Sequence, residues 1–106
     1  MVSWRSPKPQ LRDESLRYNE IMHYVYILKS QKDNKIYTGY TDNLENRIEE
    51  HNSGKVKSTS SRLPLKLVYY EAYQNKKDAQ AREKYLKGGG KAKLDLKRQI
   101  KNSLIP

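Results

Sequence analysis

Arg47 and His51 are the first residues of this chain whose types and spacing indicate chemistry. They lie four positions apart in a segment with helical periodicity, so their side chains share one helix face, with Cβ atoms about 5–6 Å apart. A guanidinium holds an anion through a planar set of donors, and an imidazole can relay a proton near neutral pH. The hydroxyls of Tyr26 and Tyr37, on two preceding strands, can face the same space. The spacing therefore permits all four side chains to converge on an anionic substrate.

The segment that would position these side chains predicts a β-hairpin followed by a helix. Residues 24–28 and 36–39 are rich in β-branched and aromatic residues, and a polar turn separates them. Thr41 or Asp42 is the predicted N-cap of the helix. The sequence Asn-Ser-Gly at 52–54 should end that helix.

Alternation along the first strand divides its side chains between the two faces of the sheet. Tyr24 and Tyr26 should lie on one face, and Val25 and Ile27 on the other. Gly39 ends the second predicted strand, where the backbone must bend or approach another group closely. The tyrosine face is therefore the face on which we expect the helix and the chemistry.

The remainder of the domain supplies a third strand and a second helix. Residues 65–71 are nearly continuously apolar at their centre, which predicts a strand in the middle of a small sheet. A helix over 78–87 follows, with Asn75 or Asp78 as its N-cap, and the glycines at 88–90 should end it. The predicted fold class is α+β, a small three-stranded antiparallel β-sheet flanked by helices.

The chain also contains residues in an order that matches a known motif. Two tripeptides, Tyr24-Val25-Tyr26 and Tyr37-Thr38-Gly39, are followed by Asn43-Leu44, Arg47, His51, Gly54 and Glu83. This order and spacing resembles the GIY-YIG nuclease motif, and the chain looks most like the small, single-domain bacterial GIY-YIG proteins. The resemblance runs from about residue 23 to about residue 93, roughly two thirds of the chain.

The resemblance implies a metal-dependent endonuclease that hydrolyses phosphodiester bonds in DNA with little sequence preference, in the setting of DNA repair or processing. It implies that Glu83 binds a single Mg²⁺ or Mn²⁺, largely through waters. Arg47 would hold the phosphate, and His51 would relay a proton or orient a tyrosine hydroxyl. Tyr26 and Tyr37 would position the attacking water, with Tyr26 favoured as its base and Tyr37 as the partner. A phenolate base requires a pKa below the ordinary value near 10.

Four of these residues also have a structural alternative without chemistry. Tyr26 can be a core tyrosine, and His51 can be a histidine at a helix end. Arg47 can pair with an acid on its own helix, and Glu83 can pair with a nearby lysine. The candidate partners are Glu45 or Glu50 for Arg47, and Lys76, Lys77 or Lys87 for Glu83. For the whole chain, the alternative is a nucleic-acid-binding module on the same scaffold that is weakly active or inactive in cleavage.

The charge of the chain favours a polyanionic partner. It has 22 Lys and Arg against 12 Asp and Glu, a formal net charge of +10. Such an excess promotes binding to phosphates through counterion release, but the charge alone does not separate DNA, RNA and an acidic membrane surface. The resemblance implies nucleic acid, with DNA favoured. A polar, basic loop after the first helix suits phosphate contacts, although a simple solvated loop is the alternative. The predicted nucleic-acid-binding residues are Lys55, Lys57, Ser58, Arg62 and Lys87.

The composition also argues against several other classes. No apolar run reaches the roughly 18 residues of a membrane span, so a membrane protein is not expected. The chain has no cysteine, which excludes a disulfide framework and a thiolate metal site. We expect a cytoplasmic protein that is a monomer.

Three segments are predicted along the chain. Residues 1–21 form a flexible N-terminal extension, in which Trp4 can stack on a base or dock onto the domain. Residues 22–93 form the GIY-YIG-like domain. Residues 94–106 form a basic C-terminal tail or helix.

A deletion tests the first of these segments. Removal of residues 1–21 should leave the melting temperature nearly unchanged, because a flexible extension contributes little to the core. Thermal unfolding of the full chain and of the shortened chain, followed by circular dichroism, provides the measurement. A drop of many degrees would show instead that the extension packs on the domain.

Overall fold

Strand β1 (His23–Ser30) is the centre of a three-stranded antiparallel sheet. In the computed structural model, which describes residues 22–105, β1 pairs on one side with β2 (Ile36–Thr41) and on the other with β3 (Leu65–Tyr73). The predicted α+β class with a three-stranded antiparallel sheet is confirmed. The N-terminal extension, with Trp4, lies outside the described residues.

The central position of the sheet belongs to β1 and not to β3, so the predicted place of the third strand is wrong. Residues 25–30 of β1 are all buried, because packed elements cover both of its faces. Strand β3 is an edge strand whose positions alternate between half-buried and exposed over much of its length. The apolar run of β3 is continuous because its side chains pack against the core on both faces of the sheet. Tyr70 is nevertheless 51% exposed.

The β1–β2 hairpin has a register that separates the two faces as expected. Tyr26 pairs with Gly39 and Leu28 pairs with Tyr37, so these side chains belong to one face. Ile27 belongs to the other face. Strand β2 continues through Thr41 and does not end at the glycine.

Gly39 allows the Tyr26 ring to lie directly over the backbone of β2. A Cβ atom at this position would lie 2.4 Å from both Cζ and Oη of Tyr26, which is far inside van der Waals contact. Glycine is therefore required here by close approach, and the expectation of such an approach at Gly39 agrees with the structure.

Helix α1 (Leu44–Asn52) covers the tyrosine face of the sheet. Its Leu44 and Ile48 pack against the buried cluster of Tyr26 and Leu28. Asn52, the last residue of α1, makes two hydrogen bonds to the start of β3. Its side-chain amide donates to the Leu65 carbonyl and accepts from the Leu65 N–H, both at 2.9 Å. This double hydrogen bond fixes the end of α1 against the sheet.

The N-cap of α1 is Asn43, so the prediction of Thr41 or Asp42 is wrong. The Asn43 side chain accepts a hydrogen bond of 3.1 Å from the N–H of Asn46. The Thr41 hydroxyl instead accepts from the N–H of Asn43 at 3.0 Å and shapes the turn before the helix. Asn43 therefore caps the helix, whereas Thr41 stabilises the turn that precedes it.

Three further helices pack on the opposite face of the sheet. They are α2 (Lys76–Lys87), α3 (Gly90–Gln99) and α4 (Lys101–Leu104). Asn75, one of the two predicted candidates, is the N-cap of α2. The buried residues of this layer are Val25, Ile27, Ala79, Leu86, Ala92, Leu96 and Ile100. Within residues 22–105, none of the helices has the length and apolar character needed to cross a membrane.

Helix α3 runs across the predicted boundary between domain and tail. Leu96 and Ile100, beyond that boundary, are 2% and 7% exposed and belong to the same core as the β1 residues Val25 and Ile27. The C-terminal segment is therefore helical and docked in this part. The division of the chain into three segments stays a prediction.

Replacement of Gly39 tests the close approach. Gly39→Ala should lower the free energy of unfolding by on the order of 1–3 kcal/mol, because the new methyl group overlaps the Tyr26 ring. Urea denaturation monitored by circular dichroism measures the change. Gly88→Ala is the matched control, since Gly88 has helical φ and ψ at the end of α2 and its Cβ atom would lie 3.3 Å from the Tyr85 carbonyl oxygen, a far smaller overlap than at Gly39. Equal stability of Gly39→Ala and the native chain would contradict the packing described here.

Candidate functional site

A chain of hydrogen bonds links a strand, a helix and a loop at the centre of the candidate site. Tyr26 Oη lies 2.7 Å from Nε2 of His51, and Nδ1 of His51 lies 2.7 Å from Oγ1 of Thr59. The exposed fractions are 1% for Tyr26 and 0% for both His51 and Thr59. Three polar side chains are thus withdrawn from solvent and depend on one another as partners.

Tyr37 completes an aromatic group around the imidazole. Its ring centroid is 5.1 Å from that of His51 and 6.3 Å from that of Tyr26, both in tilted or edge-on arrangements. The centroids of Tyr26 and His51 are 5.6 Å apart. Edge-on packing of this kind is favourable for aromatic pairs and fixes the plane of the imidazole.

Arg47 lies beside the Tyr26 hydroxyl and at the edge of solvent. Its side chain is 36% exposed, and its guanidinium donates to the Glu50 carboxylate at 3.0 Å. It also contributes to the wall of a cavity of about 340 Å³, together with Tyr40 and Lys76. Arg47 is therefore placed where it can meet a solvent-borne anion while it remains next to Tyr26.

Glu83 approaches the same place from the other layer. Helix α2 packs on the opposite face of the sheet from α1, but Glu83 is linked to Tyr37 of β2 through Lys87. Its carboxylate accepts from Lys87 Nζ at 2.9 Å, and that ammonium is 5.8 Å from the centroid of the Tyr37 ring. Burial is the main cause that raises the pKa of the Tyr26 and Tyr40 hydroxyls, and the negative charge of Glu83 is a smaller one. Lys87 thus connects the Glu83 carboxylate to the ring of Tyr37.

A free phenolate base would require a lowered pKa, but the pKa of Tyr26 is raised. Burial raises the pKa of Tyr26 to about 12, and the neighbouring guanidinium of Arg47 only partly offsets the rise. The hydroxyl is therefore protonated at neutral pH. Any role for Tyr26 in taking up a proton must involve the simultaneous loss of its own.

His51 is neutral at physiological pH. Burial, followed by the positive charge of Arg47, lowers the pKa of His51 to about 4, against an opposing effect of Glu50. A neutral imidazole has one nitrogen that donates and one that accepts. It can therefore accept a hydrogen bond from the Tyr26 hydroxyl.

The predicted nucleic-acid-binding residues fall into two groups. Lys55, Lys57 and Ser58 are exposed on the loop between α1 and β3, the same loop that carries Thr59. Arg62 is half-buried and donates to Asp33 at 3.2 Å. Lys87, the fifth predicted residue, pairs with the candidate metal ligand. The first group is free to meet phosphates, whereas the other two residues already have acidic partners.

Two features of the site were not anticipated from the sequence. Thr59 contacts His51 directly, yet a threonine in a polar run gives no signal of that contact.

Glu71 on β3 accepts from Arg82 of α2 through two guanidinium nitrogens, at 2.9 Å each, and from the hydroxyls of Tyr69 and Tyr73. Burial acts to raise the pKa of Glu71, but these hydrogen bonds outweigh it and hold the pKa below its usual value. This cluster fixes α2, and so Glu83, against the sheet.

A larger cavity, of about 1080 Å³, adjoins the cavity beside Arg47 and shares Asp42, Asn43 and Asn46 with it. Its walls include three acids, Asp42, Glu45 and Glu49, and none of the five candidate catalytic residues. Such a lining repels a polyanion. The smaller cavity also has two acids in its walls, Asp42 and Glu50, but it is the one of these two that offers cations, Arg47 and Lys76, to a phosphate-bearing ligand.

The fold is of the nuclease type. A family model described as the GIY-YIG catalytic domain matches residues 22–95. Because this match covers well over half of the chain, the chain belongs to the GIY-YIG family.

The chain is also similar to bacterial proteins named UPF0213. It is 57% identical over 67 residues to the UPF0213 protein CPE1444 of Clostridium perfringens, an alignment that covers 62% of this chain and 71% of that protein. It is 42% identical over 81 residues to the UPF0213 protein SAG0778 of Streptococcus agalactiae, which covers 74% of this chain and 91% of that protein. These names state no activity, so the activity has to be inferred from the residues of this chain.

A related protein has a solved structure. The solution NMR structure of the UPF0213 protein BH0048 from Bacillus halodurans is 38% identical in sequence and has a TM-score of 0.48. The alignment covers 76% of this chain and 85% of that chain.

The buried imidazole predicts a pH dependence of stability. The pKa of His51 is lowered from 6.5 to about 4 on folding, so the unfolded chain binds a proton between these values that the folded chain does not. The free energy of unfolding should therefore fall as the pH falls from 6.5 to 4, by on the order of 3 kcal/mol at about 1.4 kcal/mol per pH unit. Urea denaturation across this range measures it. His51→Gln should show a shallower decline, and an equal decline in both chains would contradict the assignment to His51.

Proposed function

We propose that this protein is a metal-dependent endonuclease that hydrolyses phosphodiester bonds in DNA with little sequence preference. The observation that carries the proposal is the arrangement at the β2 edge, where the Tyr26 hydroxyl is next to both the imidazole of His51 and the guanidinium of Arg47. Glu83 reaches the same edge from the other layer. Membership of the GIY-YIG family supports a nuclease-type activity for this set of side chains.

Substrate binding is assigned to cationic groups around the site. Arg47 holds the reacting phosphate through its planar donors, which remain charged at any working pH. Lys55, Lys57 and Ser58 contact neighbouring phosphates from the loop beside α1. The net charge of +10 supports a polyanionic substrate, and contacts to the phosphate backbone do not read the base sequence.

Proton transfer is assigned to the hydroxyl–imidazole pair. As the water oxygen bonds to phosphorus and the bond from phosphorus to the 3′-oxygen breaks, the water proton passes to Tyr26 Oη. The proton of Tyr26 passes at the same time to Nε2 of His51, 2.7 Å away. This concerted route needs no free phenolate, in keeping with the raised pKa of Tyr26. The imidazolium that it forms must be stabilised by the negative charge of the bound phosphate, because burial and Arg47 lower the pKa of His51 to about 4. Tyr37 keeps both rings in place through its contacts with them.

Glu83 is the residue proposed to hold a divalent cation. Among residues 22–105 no three His, Asp or Glu side chains are grouped as a metal cluster, so one carboxylate with water ligands is the arrangement that fits. Mg²⁺ or Mn²⁺ suits such oxygen ligands, and when bound it supplies positive charge to the phosphoryl and leaving oxygens. Lys87 must first release the carboxylate. A partly exposed ion pair of this kind contributes only about 0–1 kcal/mol, so the release costs little.

For the biological setting we propose DNA repair or processing in the cytoplasm, by a protein that acts as a monomer. The support is the family membership together with the charge of the chain.

A second candidate function is binding of nucleic acid without efficient cleavage. The observation that favours it is the closed state of the site. Tyr26 is only 1% exposed, and both Arg47 and Glu83 are engaged by ion pairs. A substrate must open these contacts before the proton relay can reach the attacking water.

A cleavage assay with matched variants tests the proposal. The purified chain with Mg²⁺ or Mn²⁺ should nick or degrade plasmid or single-stranded DNA. Glu83→Gln should abolish cleavage and preserve binding, and Tyr26→Phe should slow cleavage by about 100-fold or more. Asp78→Asn, which removes an exposed acid from the same helix, is the matched control and should retain activity. RNA and branched DNA substrates in parallel define the preferred nucleic acid.

The outcomes separate the two candidates. Binding that weakens with salt, without cleavage under any metal condition, would favour the binding module. Equal cleavage by Glu83→Gln and the native chain would show that the activity comes from a contaminant or from another site.

A further inference from the structure

Thr59 has no part in the steps assigned above, although it is fully buried against the imidazole. It lies on the loop between α1 and β3, and its Oγ1 atom is 2.7 Å from Nδ1 of His51. The other ring nitrogen, Nε2, is 2.7 Å from Tyr26 Oη. The direction of the hydrogen bonds along this chain decides whether His51 can take up a proton from Tyr26.

The Tyr26 hydroxyl favours one direction of the hydrogen bonds at its end of the chain, and Thr59 must support the same direction at the other end. Burial raises the pKa of Tyr26 to about 12, so the hydroxyl carries its proton. Within the described part of the chain, Nε2 of His51 is the one acceptor within hydrogen-bond distance. A buried hydroxyl that donated to nothing would be strongly unfavourable, so Nε2 carries no proton.

The proton of the neutral imidazole is consequently on Nδ1. Burial lowers the pKa of His51 to about 4, and one ring nitrogen must therefore be protonated at neutral pH. Nδ1–H donates to Oγ1 of Thr59. The threonine hydroxyl in turn has the carbonyl oxygen of Val56, at 3.5 Å, as an acceptor for its own proton. Every donor along the chain then has an acceptor.

We propose that Thr59 is a positioning residue that holds His51 in the Nδ1–H tautomer and so keeps Nε2 open to the proton of Tyr26. The role rests on the proposed function, because it matters only if the water proton leaves through this pair. In the opposite tautomer, an N–H group would point at the tyrosine and block the transfer. Thr59 does not touch the reacting atoms, and it acts through His51.

The tautomer can be observed without any catalytic assay. The chain has two histidines, so ¹⁵N-labelled histidine gives a simple long-range ¹H–¹⁵N spectrum in which protonated and unprotonated ring nitrogens resonate far apart. A His23→Gln chain assigns the signals. At neutral pH the native chain should show Nδ1 of His51 protonated and Nε2 unprotonated.

Two variants at position 59 then test its role. Thr59→Val keeps the shape of the side chain and removes the acceptor of Nδ1–H, so each tautomer then leaves one donor unsatisfied, Nδ1–H in one and the Tyr26 hydroxyl in the other. The signals should therefore show both tautomers in place of the single native one. Thr59→Ser keeps the hydroxyl and should retain the native tautomer. Cleavage of plasmid DNA should fall by about tenfold or more in Thr59→Val and recover in Thr59→Ser, as for other residues that orient a functional histidine. Ser60→Ala, an exposed neighbour, is the control for loss of a loop hydroxyl.

The spectra and the cleavage assay fail in distinguishable ways. A protonated Nε2 in the native chain overturns the inference, and this measurement does not depend on whether Thr59→Val folds. An unchanged tautomer in folded Thr59→Val also overturns it, as does native-like cleavage by that variant. If the native chain cleaves nothing, the proposed function is lost, and the spectra alone decide whether Thr59 sets the tautomer.

Discussion

The packing of the Tyr26 ring on the bare backbone of Gly39 is the constraint on which the candidate site depends. It allows a side chain from the central strand to cross its neighbour and bring its hydroxyl to the imidazole of α1. With any larger residue on β2, the ring would have to turn away, and the link between sheet and helix would be lost. The glycine of the hairpin is thus needed for the space above it and not for an unusual backbone conformation.

The edge formed by β2 is where two otherwise separate layers meet. Helix α1 covers one face of the sheet and α2 the other, each with its own buried cluster. Each helix is held by polar contacts to β3: α1 through Asn52, and α2 through the pair of Arg82 and Glu71. Because these contacts fix both helices relative to the sheet, Arg47 and Glu83 can approach one edge from opposite sides.

The sequence predicted the features that follow from periodicity. The hairpin, the face on which Tyr26 lies and the shared face of Arg47 and His51 all follow from the regular repeat of strand and helix. The place of β3 did not, because strand order depends on pairing between distant segments and not on local hydrophobicity. The N-cap of α1 was missed because adjacent residues are equally good cap formers. The contact of Thr59 with His51 has no local pattern, since it joins a loop to a helix through two side chains.

The loop between α1 and β3 places its residues on two sides in alternation. Lys55 and Lys57 are exposed, whereas Val56 and Thr59 are buried, within five consecutive positions. A polyanion that drew the exposed ammonium groups toward it would also displace the inward hydroxyl, since the two sets share one short backbone. Hydrogen bonds weaken steeply with distance and angle, so the orientation of the imidazole would respond to how the loop is seated. Binding of a polyanion to the exposed lysines and orientation of the buried imidazole would in that case be coupled through the loop.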